Sequence, residues 1–257
     1  MNKTALVTGA GGGLGAAIAR RFAEDGYRVA LLDNDGDAVA EQARQLPGAI
    51  ALRADVTDEA QVEDALAAFA DAFAGPPDAL VNNAGIVRFG PILEHSVADF
   101  RRVMDVNLVG TFIMSRTVAR RMVERGSGTI VNITSLNAVA PSPDAGAYPA
   151  SKAAVALLTE HLALALGPRG VRVNAVAPGF IDAGMSEPIY RDPKVRAARA
   201  SAVPARDLGT AQDVAEAVLF LSSERARYIH GQQILVDGGV SFSLKLHLPR
   251  EAPTVRY

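Results

Sequence analysis

The sequence contains no cysteine. Disulfides, thiolate nucleophiles and cysteine-ligated zinc are therefore excluded. Its four histidines, His95, His161, His230 and His247, are scattered and show no HExxH or comparable spacing, so no metal site is expected. A strong charge of either sign is lacking too: 26 Lys and Arg against 28 Asp and Glu leave a formal net charge of −2. Nothing in that balance draws the chain to nucleic acid or to an anionic membrane. No apolar run approaches the length of a membrane span, and the opening Met1-Asn2-Lys3 carries no signal-peptide core. These absences predict a soluble, cytoplasmic protein without metal, nucleic-acid or membrane partners. What is present is ordinary for a globular fold. The 257 residues are 49% hydrophobic and 21% charged, the size and composition of one α/β domain.

Short apolar runs alternate with amphipathic segments. The runs are Ala5–Val7, Arg28–Leu32, Ile50–Leu52, Ala79–Val81, Thr129–Ile133, Val171–Val176 and Gln233–Val236. Between them, Leu14, Ile18 and Phe22 share a helix face, and weaker or longer helical patterns cover Val39–Leu46, Val62–Phe73 and Tyr148–Leu166. Thr57 or Asp58 can cap the third helix, Ser96 and Asp99 form a capping box ahead of a long helix through Val123, and Thr210 and Asp213 cap one ending near Ser222. Strands that are apolar throughout are covered on both faces. Right-handed crossovers then predict a doubly wound, seven-stranded parallel sheet of the Rossmann type, in a single α/β domain over residues 1–239.

Thr8-Gly9-Ala10-Gly11-Gly12-Gly13-Leu14-Gly15 lies between the first strand and first helix. Glycines there let backbone amides approach a pyrophosphate, and the helix N-terminus adds its positive end. Asp33 follows Gly15 by 18 positions, close to the spacing of a ribose-binding acid. A carboxylate there accepts the ribose hydroxyls and repels a 2′-phosphate, and Asn34, Asp35 and Gly12 supply no compensating cation. The cofactor expected is NAD. Farther on, Tyr148 and Lys152 stand four apart at a helix start, on one face. Phenols titrate near pH 10, so a neighbouring ammonium would favour the phenolate.

In these motifs the chain resembles the short-chain dehydrogenase/reductase family, from Thr8 to Gly239. Further matches are Asp55-Val56, Asn82-Asn83-Ala84-Gly85, Asn107, Ser135, Asn174, Pro178-Gly179 and Val236-Asp237-Gly238-Gly239. The resemblance implies that Tyr148 is the acid/base, Ser135 its partner at the substrate oxygen, and Lys152 the ligand of the nicotinamide ribose and electrostatic support of the phenolate. It implies that Asn107 holds a water joining Lys152 to solvent. It places Gly9, Gly11, Gly12, Gly13, Leu14, Gly15, Asp33, Asp55, Val56, Asn83, Ala84, Gly85, Pro178, Gly179 and Ile181 along NAD. Ala183 departs from the family, which commonly has a threonine there to fix the nicotinamide carboxamide.

The activity expected is hydride transfer between NAD and a secondary alcohol or ketone, with a polyol, sugar or hydroxy acid favoured. A 3-oxoacyl-thioester reductase and a catalytically silent NAD-binding regulator are the alternatives. Arg88, Leu136, Asn137, Met185 and Tyr190 are the candidate substrate contacts, with residues 180–207 as a lid. The lid and its continuation carry Arg191, Lys194, Arg196, Arg199 and Arg206, which could attract a carboxylate or phosphate substrate; one solvated basic face is the favoured reading. The resemblance implies a homotetramer, and the nearly all-round apolar character of Val155–Leu166 agrees. In the tail, residues 240–257, Phe242, Leu244, Leu246 and Leu248 alternate with polar residues, the pattern of an extended segment. It is expected to cross to a neighbouring subunit, bringing Arg256 or Tyr257 near that pocket, or else to fold back with frayed final residues.

Overall fold

Each apolar run becomes a strand, the first and fourth buried throughout and the third and last, at the two edges of the sheet, only partly buried. In the computed structural model, which describes residues 3–246, the strands are β1 (Thr4–Thr8), β2 (Arg28–Asp33), β3 (Ile50–Arg53), β4 (Ala79–Asn82), β5 (Gly128–Ile133), β6 (Val171–Pro178) and β7 (Gln233–Val236). They form one sheet in the order β3-β2-β1-β4-β5-β6-β7, every pair parallel. The helices are α1 (Gly13–Glu24), α2 (Gly36–Arg44), α3 (Glu59–Phe73), α4 (Val97–Met104), α5 (Gly110–Arg125), α6 (Tyr148–Leu166), α7 (Glu187–Tyr190), α8 (Pro193–Ala202) and α9 (Ala211–Ser222). Successive strand residues serve opposite cores, because strand side chains alternate. Leu31 packs with Ile18, Phe22, Val218 and Leu221 on one face, while Leu32 packs with Leu66, Phe69, Met114 and Met122 on the other. The expected fold class and all seven strands are therefore present.

Capping follows the side chains that can accept an amide. Asp58, rather than Thr57, caps α3, accepting from Ala60 and Gln61, while Thr57 turns back to Asp55. The box at Thr210–Asp213 forms reciprocally, whereas at Ser96 the hydroxyl accepts the Asp99 amide and donates to the Asp99 carboxylate, so only half of the expected box is made. Two further expectations change. The long helix before Val123 is not uniform: α4 and α5 are joined by a π-helical turn, Asp105–Val109, in which Asn107 is fully buried. The tail does not begin as an extended segment. Val240–Leu246 coils into a 3-10 turn, anchored by Asp237, whose carboxylate accepts from the amides of Gly239 and Ser241. A three-residue repeat destroys the alternation, so Phe242, Leu244 and Leu246 stand 79%, 75% and 63% exposed instead of lining one buried face. Leu248, Arg256 and Tyr257 lie outside the described residues.

Strand order reverses between β1 and β4, which opens a crevice at their C-terminal ends. Two side chains tie those ends together. The Thr8 hydroxyl accepts from the amides of Asn83 and Ala84, both at 3.0 Å, and the Asn83 amide donates to the carbonyls of Thr8 and Gly9, also at 3.0 Å. The glycine loop then curls so tightly that a Cβ on Gly15 would sit 2.1 Å from the Gly9 carbonyl oxygen and 2.6 Å from Asn83 Nδ2. At Gly12 a Cβ would meet nothing within 4 Å. Gly15→Ala is accordingly expected to lower the melting temperature by roughly 5–10 °C while Gly12→Ala changes it by about 1 °C or less, as read by calorimetry. Equal melting temperatures for the two variants would contradict the packing described.

Candidate active site

The crevice continues into one cleft of about 420 Å3 that runs from the glycine loop to the lid. Gly9, Gly12, Leu14 and Gly15 line one end with Asp33. At the other end Ser135 and Tyr148 face Phe180, Met185, Ile189 and Tyr190. Asp33 ends β2, and its carboxylate accepts from the amides of Gly11 at 2.9 Å and Asp35 at 3.1 Å. Gly11 is thus bound to Asp33 rather than lining the cleft. Gly13 is covered by the lid, for a Cβ on it would stand 2.7 Å from the Gly184 Cα. Gly184 has φ +57°, a backbone that glycine adopts without steric cost.

Asp55 and Val56 line the cleft beyond β3. Burial pushes the Asp55 carboxyl up, but hydrogen bonds from Thr57 and the Arg102 guanidinium at 3.6 Å outweigh it and leave the group below the ordinary carboxylate value. Asn83, Ala84 and Gly85 form the floor, and Pro178, Gly179 and Ile181 the opposite wall. This cradle fits a dinucleotide: glycines where a phosphate would approach backbone, a carboxylate at the strand end for hydroxyls, and an apolar wall for a flat ring.

At the reacting end, Ser135 caps a short turn, Leu136–Ala138, by accepting the Asn137 amide, and its hydroxyl lies beside the Tyr148 phenol. Burial pushes that phenol above its ordinary value, and the neighbouring Ser135 hydroxyl only partly opposes this. Lys152 is 4% exposed and donates to the Ile133 carbonyl at 2.8 Å, with its nitrogen 5.6 Å from the Tyr148 ring centroid. Burial lowers its pKa to about 8. The expected lowering of the phenol by Lys152 is therefore absent from the chain alone, because the ammonium is directed at a carbonyl and both groups are desolvated.

Asn107 does not line the cleft. Its side chain is fully committed: Oδ1 accepts from the Ile86 amide at 2.8 Å, and Nδ2 donates to the Ile86 carbonyl at 3.0 Å and the Ser151 hydroxyl at 2.9 Å. The π turn aims it there, since the extra residue rotates the helix and turns Asn107 toward α6. Its side-chain atoms are thus bonded to the Ile86 backbone and the Ser151 hydroxyl.

Of the candidate substrate contacts, Asn137, Met185 and Tyr190 line the cleft. Arg88 does not: it is exposed and lies 3.8 Å from Asp99. Leu136 is buried under its turn. Val87 and Phe89 take their place. Asn137 Oδ1 accepts the Ser142 amide at 2.7 Å, shaping its loop. One residue escaped the sequence reading. Arg53 pairs in register with Asp33, and its stem touches Gly36, though it does not line the cleft. Arg199 lines it, although its sequence position reads as a solvated face. The pairing of β2 with β3 was the available signal for Arg53; nothing in the spacing distinguished Arg199 from Arg196. Among the described residues no helix is long and apolar enough to cross a membrane, and no acidic or histidine cluster could hold a metal.

A family model described as Enoyl-(Acyl carrier protein) reductase matches residues 9–241. The 2-(R)-hydroxypropyl-CoM dehydrogenase of Xanthobacter autotrophicus is 41% identical over 246 residues, covering 93% of this chain and 98% of that protein. The galactitol 2-dehydrogenase (L-tagatose-forming) of Cereibacter sphaeroides is 43% identical over 239 residues, covering 91% and 93%. A solved structure of a putative gluconate dehydrogenase from Agrobacterium tumefaciens superposes with a TM-score of 0.89 at 35% identity, covering 93% of this chain and 96% of that one.

The depressed Lys152 pKa has a sign that can be measured. Unfolded, the group titrates near 10.5; folded, near 8. The unfolded state binds more protons between those values, so the wild type gains stability there as pH rises. Lys152→Met lacks that group. From pH 7 to 10.5 the wild type should gain about 3 kcal/mol relative to Lys152→Met, both measured without cofactor by urea unfolding. A pH-independent difference would refute the burial of a charged Lys152.

Proposed function

Since the chain belongs to the short-chain dehydrogenase/reductase family, we propose that it is an NAD-dependent dehydrogenase interconverting a secondary alcohol and its ketone. The observation that carries this reading is the meeting of Ser135, Tyr148 and Lys152 at one end of a cleft whose other end holds the glycine loop and Asp33. Nicotinamide, when bound, supplies the hydride acceptor or donor. Tyr148 exchanges the proton with the substrate oxygen at its phenol oxygen. Ser135, beside that phenol in the cleft, holds the substrate oxygen next to it. Lys152 binds ribose hydroxyls and contributes positive charge near a phenol that burial otherwise keeps protonated. Asn107 is a positioning residue: by joining the Ile86 backbone to Ser151 it fixes the turn of α6 from which Tyr148 and Lys152 project.

Asp33 supports NAD over NADP. Its carboxylate and Asn34 line the cleft, while Arg53, the cation that a 2′-phosphate would seek, does not. The lid over 180–207 and a homotetramer belong to the same proposal. Leu157 and Leu164 on α6 stand 67% and 80% exposed, and Phe112 on α5 is exposed with them, which supports burial against other subunits. Light scattering at micromolar concentration reads the tetramer directly; a monomer contradicts it. A silent regulator has no use for a phenol, a second hydroxyl and a buried lysine gathered in one cleft, which weighs against that alternative.

Two measurements test the activity. Tyr148→Phe should keep its NADH dissociation constant within about twofold and lose at least about a hundredfold in kcat; substantial residual turnover rejects Tyr148 as the acid/base. The wild type should show a kcat/KM for NAD+ at least about tenfold above that for NADP+, and the reverse preference rejects the role of Asp33.

A further inference from the structure

Three lid cations are matched locally and a fourth is solvated. Arg191 lies 3.6 Å from Glu187, Arg196 bonds Asp182, Arg206 donates to the Ser201 carbonyl, and Lys194 is exposed to solvent. Arg199 differs. Its guanidinium carbon lies 5.2 Å from the Phe180 ring centroid and 5.6 Å from that of Tyr190, and Nη1 donates weakly to the Tyr190 hydroxyl at 3.4 Å. Among the described residues no carboxylate comes within ion-pairing distance of it. Half-burying a guanidinium costs free energy, which two aromatic faces offset only in part. Both rings line the cleft, as Arg199 itself does.

The other two cations of the cleft are engaged elsewhere, Arg102 with Asp55 and Lys152 with Ile133. The cleft's carboxylates, Asp33 and Asp55, both sit toward the glycine-loop end. The substrate end therefore holds no negative charge, and beside Lys152, which is committed to the Ile133 carbonyl, Arg199 is its one further cation. Arg199 presents a planar fork of donors of which the structure uses one, the geometry suited to two parallel bonds to an oxyanion.

We infer that Arg199 is a specificity-determining residue that receives an oxyanion group, a carboxylate or sulfonate, on the alcohol or ketone substrate. This rests on the proposed dehydrogenase reading, and deepens it by naming the substrate class. The cofactor's phosphates are the competing source of negative charge. The lid meets the glycine loop through Gly184, not through Arg199, so those phosphates are assigned to the loop.

The test uses the enzyme with NADH bound. Butyrate and propane-1-sulfonate should raise its melting temperature at matched ionic strength, and butyramide should not. In Arg199→Gln the apparent dissociation constants of both anions should rise about ten- to a hundredfold, and Arg199→Lys should recover part of the loss. Arg191→Gln, an exposed residue outside the cleft, controls for the general charge of the lid and should keep the anion shifts. In turnover, the preference for 3-hydroxybutyrate over its methyl ester, taken as the ratio of their specificity constants, should fall by a similar factor in Arg199→Gln, through a weaker KM for the acid. Equal shifts from butyrate and butyramide in the wild type overturn the inference, as do anion shifts that survive in Arg199→Gln. A tenfold loss of NADH affinity with the acid-to-ester ratio unchanged overturns it too, and assigns Arg199 to the cofactor. Anion binding needs no turnover. Anion shifts that depend on Arg199 in an enzyme that oxidises no alcohol would therefore support Arg199 and reject the dehydrogenase activity.

Discussion

The bonds between the Thr8 hydroxyl, the Asn83 amide and the backbones around them hold the cleft open. At this point β1 and β4 part, and the two helices that follow them leave on opposite faces of the sheet. Without a tie, the strand ends would be two loops over a gap. With it, the glycine loop is pinned from below by Asn83 and from the side by the Asp33 carboxylate on Gly11. Both are side-chain to backbone bonds, so the loop's shape is set while its outward-facing amides stay available. The same economy appears at β6, where Asn174 bonds the Ile229 carbonyl and the Gln232 amide and fixes the chain entering β7.

Most of the fold was legible because strand runs and helix faces are local patterns. Seven runs predicted seven strands, and the order of alternation predicted their parallel pairing. The misreadings share one cause. Residues 240–246 alternate as a strand does, yet a strand needs a neighbour, and β7 is already the sheet edge there; Asp237 captures the following amides and coils the segment instead. Likewise the long helix looked continuous, because one inserted residue shifts the face without breaking the polarity pattern. Asn107 betrayed itself only as a buried polar residue in a helix, and its partners, Ile86 and Ser151, are 21 and 44 positions away.

For the site, the glycine loop, Asp33, Ser135, Tyr148 and Lys152 were legible as motifs, and the structure draws them to one cleft. Arg88 and Leu136 were not separable from Val87 and Phe89 by sequence, since neighbouring loop residues face different ways only once the loop is folded. Arg196 and Arg199 are one turn apart on α8, and the difference between them is made by Asp182 on one side and by Phe180 and Tyr190 on the other. The electrostatic state of the dyad was also beyond the sequence. Adjacency of phenol and ammonium was evident, but the desolvation of both, which dominates, depends on α6 lying against the sheet, chiefly on β6.

The first strand of the chain lies in the middle of the sheet, with β2 on one side and β4 on the other. During synthesis that strand must wait. Its partner on the β4 side emerges only after some seventy more residues, and its pairing closes a long loop before any contact rewards it. Until then half of β1 is an uncovered apolar edge, a place for a chaperone or for another copy of the chain. The glycine loop hangs from that same strand, so the dinucleotide cleft is among the last features to exist. A ligand that recognises only the completed cleft therefore selects finished molecules, and at concentrations well above its dissociation constant it adds its binding free energy to their persistence.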